Sequence, residues 1–172
     1  MDVFFYIAGI VAIVSTILAI SGRNAIHSLL YLILSLLAVS VIFYLLSAPF
    51  IAALEVIIYA GAIMVLFIFV TMMLNIGSER EAEKKWLRPR MWIIPSILAA
   101  VLLVNLILAV KSVQALQPHS GAIQPKQVGI SLFSTYLLGV EIAAILLMAG
   151  VIGAYHLGSQ KKKVKHRYLE MK

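Results

Sequence analysis

Five runs of apolar residues, each long enough to cross a membrane as a helix, constrain this chain more than any other feature. A transmembrane helix needs about 20 mainly apolar residues, because each rises about 1.5 Å against about 30 Å of hydrocarbon. The runs cover residues 3–20, 28–46, 51–76, 91–110 and 132–157. Polar or helix-breaking residues close them: Ser21-Gly22-Arg23-Asn24, Ser47-Ala48-Pro49, Gly77 and Gly158. No run alternates apolar and polar residues in the ten-residue units of a membrane barrel. The predicted fold class is an all-α integral membrane protein with five transmembrane helices. Residues 1–158 are read as a single five-helix membrane domain and 159–172 as a basic tail.

Composition removes the soluble alternatives. Of 172 residues, 63% are hydrophobic and 12% charged, against about 45–50% and about 25% in soluble domains. So little charge cannot cover a soluble enzyme, and disorder requires low hydrophobicity. The chain has no cysteine, which excludes disulfides, thiolate metal sites, iron–sulfur clusters and cysteine nucleophiles within it. Its four histidines lack metal-ligand spacing. There is no phosphate loop, dinucleotide fingerprint or nucleophile elbow. Without an internal repeat, the inverted-repeat layout of many secondary transporters is unsupported.

The net charge of +7 points to an anionic lipid face rather than nucleic acid, because the basic residues sit between apolar runs. One set of connections holds Arg23, then Arg80, Lys84, Lys85, Arg88 and Arg90, then Lys161, Lys162, Lys163, Lys165, Arg167 and Lys172. Those are 12 of the 14 basic residues; only Lys111 and Lys126 lie in the other set. The positive-inside rule predicts an N-terminus outside, on the periplasmic side, and a C-terminus in the cytoplasm. Residues 112–130, with two prolines, are expected to form an external loop.

Ionisable groups within spans are expensive and point to function. Two acids qualify, Glu55 and Glu141. Glu55 lies roughly 6 Å into the third run, shallow enough to be interfacial. Glu141 lies about 14 Å deep if its helix starts at Leu132, and is interfacial if the start is nearer Leu137. Glu55 and Tyr59 are four apart and share a helix face. Tyr59 is followed by Ala60-Gly61-Ala62. Glycine costs about 1 kcal/mol against alanine inside a helix, and two uses would offset that. One is close helix approach, the commoner role of small residues in membranes. The other is a backbone irregularity such as a π-bulge.

The stretch LEVIIYAGAIMVLFIFVTMMLNIG (54–77) closely resembles the signature helix of the subunit J family of bacterial respiratory complex I, whose mitochondrial counterpart is NADH dehydrogenase subunit six. NAIHSLLYLILSLLAVSVIFYLL (24–46) and VEIAAILLMAGVIGAY (140–155) are similar to the same family. The resemblance implies a multi-pass, non-redox subunit of the proton-pumping NADH:quinone oxidoreductase in the bacterial inner membrane. NADH, FMN, iron–sulfur clusters and quinone would belong to the parent complex, with no cofactor bound by this chain. Implied neighbours are the small membrane subunits A and K, then H and N, and membrane lipids. The resemblance also implies a π-bulge about Tyr59 and Gly61, beside bulky apolar residues Met64, Val65 and Phe67. Rotation there would make or break a water path, with Glu55 and Glu141 as candidate proton-path acids.

Overall fold

A computed structural model describes residues 2–22, 25–73, 92–115 and 123–159. Among these residues every regular element is helical, and five helical runs are long and apolar enough to cross a membrane. The fold class is as predicted. In chain order the elements are α1 (Asp2–Ser21), α2 (Ala25–Leu45), α3 (Pro49–Leu54), a π-helical segment (Glu55–Ile63), α4 (Met64–Met73), α5 (Ile93–Ala115), α6 (Pro125–Phe133) and α7 (Leu137–Gly158). The basic connections predicted to face the cytoplasm, at Arg23, 80–90 and 161–172, lie outside the described residues.

Residues up to Pro125 form one compact unit and those from Lys126 a second. In the first, α2 is the hub: it packs on α1, α3, the π segment, α4 and α5, and α1 also meets α5. Apolar surface gains nothing by leaving lipid, so helices associate in membranes through close packing and hydrogen bonds. The residues at the centre fit that rule. Ala8, Val11, Ala38, Val41 and Leu102 form the core, and the two alanines, Ala8 on α1 and Ala38 on α2, are small enough for the backbones to approach closely.

Hydroxyls and one amide add direction. The Thr16 and Ser35 hydroxyls stand 2.7 Å apart, and both reach the Ala12 carbonyl, at 2.8 and 3.2 Å. At the far end of the same pair, Ser28 Oγ donates to the Gly22 carbonyl. A Cβ on Gly22 would run into that hydroxyl, which would have to turn away and give up the bond. As the number on α1 rises, its partner's on α2 falls, the mark of an antiparallel pair. The Asn105 amide donates to the Phe4 carbonyl at 3.2 Å and ties α5 to α1. Ser15 is fully buried and its hydroxyl has no partner.

Several expected boundaries are corrected. The helix of the second span begins at Ala25 rather than Ser28, and that of the fourth runs on to Ala115 although its membrane-spanning part, Ile93–Lys111, closes within a residue of the expected Val110. The expected run 132–157 is not one helix, because the chain turns at 134–136 between α6 and α7. There the Ser134 hydroxyl takes the Ile130 carbonyl at 2.6 Å, and the Tyr136 amide reaches back to Ser131 at 3.1 Å. A hydroxyl bonded to the carbonyl four residues back often bends a helix, and here the backbone bond from Tyr136 to Ser131, five residues back, accompanies the turn. The region expected to be an external loop therefore contains the end of α5 and most of α6.

Candidate functional site: the π-helical segment

The third span is continuous from Pro49 to Met73, yet its middle is wound differently from its ends. Pro49 opens α3, where its missing amide hydrogen costs nothing. The helix enters the π segment at Glu55, whose amide is shared between the Ile51 and Ala52 carbonyls. It leaves at Met64, whose amide is shared between the Tyr59 and Gly61 carbonyls and bypasses Ala60 between them. The bond from Met64 to Tyr59 spans five residues, which defines the wider turn. Nine residues, Glu55–Ile63, are wound this way, Tyr59 and Gly61 among them.

Gly61 sits inside this wide turn. A Cβ built on it would lie 3.1 Å from the Val56 carbonyl oxygen, five residues earlier. A side chain there would push that carbonyl aside by a few tenths of an ångström. The glycine is thus accounted for by the winding, the second of the two uses left open above. Among the described residues, no atom of another element lies within 4 Å of that Cβ position.

The site residues fall on different faces. Glu55 is half-buried at the start of the segment, and Tyr59, one turn on, is 50% exposed. Ala60 is buried against the bundle and Gly61 half-buried. Met64 is only 8% exposed, whereas Val65 and Phe67 are 59% and 53% exposed. The structure therefore separates the three bulky residues: Met64 turns into the unit and the other two face outward. Glu141 lies in the first turn or so of α7, in the second unit, and is exposed. The helix starts at Leu137, which puts Glu141 four residues along it rather than the nine of a start at Leu132.

One neighbour escaped sequence reasoning. Ser40, on α2, donates its hydroxyl to the Ala52 carbonyl of α3 at 2.8 Å, and both residues are buried. The available signal was a hydroxyl in an otherwise apolar run, which in lipid must find a backbone or side-chain partner. Chemically the site offers a phenol able to donate and accept, a carboxyl one turn away, and a backbone whose ladder skips a carbonyl.

Comparison with known proteins decides the family. The family model described as NADH-ubiquinone/plastoquinone oxidoreductase chain 6 matches residues 15–157. The chain belongs to this family. It is 50% identical over 163 residues to the NADH-quinone oxidoreductase subunit J of Escherichia coli K12, covering 94% of this chain and 89% of that one. Against the subunit J of Pseudomonas aeruginosa it is 52% identical over 170 residues, covering 95% and 99%. Against that of Buchnera aphidicola subsp. Schizaphis graminum it is 47% identical over 163 residues, covering 94% and 100%. The matched span of the chain 6 family runs from within α1 to the last turns of α7 and includes the whole π segment.

Proposed function

We propose that this chain is a membrane subunit of a bacterial NADH-quinone oxidoreductase whose third span switches register to gate a water path used in proton translocation. The observation that carries the reading is the bond from the Met64 amide to the Tyr59 carbonyl, five residues back, in the middle of a membrane span. In lipid a carbonyl without its helical partner requires water or a neighbour. A π segment therefore marks a place where water can approach the backbone.

Conversion of that segment to α-helix would remove the extra residue from the turn. Everything on one side of it would then rotate by about 100°, the angle of one α-helical residue. Val65 and Phe67 now face outward, and rotation would carry their bulk into or out of a neighbouring path. Tyr59 would order waters in the open state, and Glu55 would set the local field or exchange protons at the outer side. Glu141 is kept as a second outer acid. Redox chemistry is assigned to other subunits, because iron–sulfur ligation calls for thiolates and this chain has no cysteine. Its neighbours are taken to be subunits A, K, H and N, in the bacterial inner membrane.

Gly61→Val tests the reading. Its Cβ opposes the π turn, so NADH-driven proton pumping should fall at least severalfold while the complex still assembles, measured as protons moved per NADH oxidised in membrane vesicles. Normal stoichiometry in an assembled Gly61→Val complex would count decisively against the gate. Glu55→Gln separates a working site from a scaffold, since a scaffold would retain full pumping.

A further inference from the structure

A helix that changes register in its middle must turn at one end, and what holds each end decides which. The two ends of the third span are held differently. On the Pro49 side, the Ser40 hydroxyl of α2 grips the Ala52 carbonyl at 2.8 Å, with both residues more than nine-tenths buried. The turn before α3 is also fastened. Ser47 takes a left-handed conformation, with φ at 63°, and its carbonyl accepts the Ile123 amide at 3.1 Å. On the other side, the side-chain hydrogen bonds of α4 stay within that helix, from the Thr71 hydroxyl to the Phe67 and Ile68 carbonyls. Among the described residues, α4 meets α2 without a hydrogen bond, and Met64 is its one buried side chain. A methionine is unbranched and slips between packings with little penalty.

We infer that Ser40 is a positioning residue: its hydroxyl pins α3 to α2, so that a register change in the π segment turns α4 and leaves α3 in place. The inference rests on the register-switching reading above and adds to it the fixed end and the group that fixes it. A carbonyl oxygen has two lone pairs, so the Ala52 carbonyl keeps Ser40 while serving the backbone ladder. The pin thus survives either register.

The test uses the assembled NADH-quinone oxidoreductase, purified at rest and during turnover with NADH and a soluble quinone, with the third span traced by electron cryo-microscopy. In the wild type and in Ser40→Thr, the hydroxyl should stay within hydrogen-bond distance of the Ala52 carbonyl in both states. The whole turn, about 100° for one residue, should then appear beyond Met64. In Ser40→Ala the turn should divide between the ends, and the rotation of α4 should be at least twofold smaller. Ser40→Val against Ser40→Thr, matched in shape and differing in the hydroxyl, repeats the comparison where Ser40→Ala leaves no assembled complex. A full α4 turn with α3 unmoved in Ser40→Ala or Ser40→Val overturns the pin and leaves the gate standing. A wild-type α3 that turns while α4 stays fixed also overturns the pin. A wild-type span wound identically in both states overturns the gate and the pin with it.

Discussion

At the scale of single residues, the polar atoms inside the first unit divide into those that work and those that do not. The Thr16–Ser35–Ala12 cluster joins α1 to α2, and interhelical bonds of this kind in membranes contribute about 0.6 kcal/mol on average. Ser15, its neighbour in sequence, is fully buried with an unpartnered hydroxyl. A buried polar group without a partner costs about 1–3 kcal/mol. Ser15→Ala removes that group and leaves almost no void, so it should retain or raise stability, by up to about 1 kcal/mol. Thermal disassembly of the complex in detergent measures this, and a clear loss would show that the hydroxyl has an undetected role. Asn105 is a mixed case: its amide nitrogen serves the Phe4 carbonyl while its oxygen has no partner.

At the scale of elements, the winding of the third span is set by what its turns can hold. Gly61→Ala places a methyl 3.1 Å from the Val56 carbonyl in the π form, a contact tight enough that the carbonyl must give way. Gly61→Ala should therefore shift the segment toward α-helix, seen as loss of the five-residue bond to Tyr59 in a map of the variant complex. Much of this architecture was legible beforehand, because the length of an apolar run fixes a membrane helix with little help from tertiary contacts. The break at 134–136 was not, because Leu132 and Phe133 continue the apolar count up to the turn. The π winding was half-legible: Gly61 signalled something unusual, but its spacing by itself favours close helix packing. Ser40 was invisible, since only geometry reveals which carbonyl a hydroxyl meets.

At the scale of the whole molecule, the distribution of charge gives the membrane topology its sense. With 12 of 14 basic residues on one set of connections, single cysteines near Asp2 should react with an impermeant maleimide from outside intact spheroplasts. Cysteines in the tail at 161–167 should react only after the cells are opened. The chain has no cysteine of its own, so each label reports one position. The reverse pattern would invert the assignment of Glu55 and Glu141 to the outer side. Under the register switch proposed above, the pace of the parent assembly would depend on how readily its third span rewinds. An amide stripped bare in oil costs several kcal/mol, which would stall any rearrangement that passed through it. The Met64 hydrogen already leans on two oxygens at once. In the α-helical register proposed above its acceptor would be the Ala60 carbonyl, which lies in the chain between the two oxygens it now shares, so the hydrogen would have only a short way to move and the activation barrier at this step would be low.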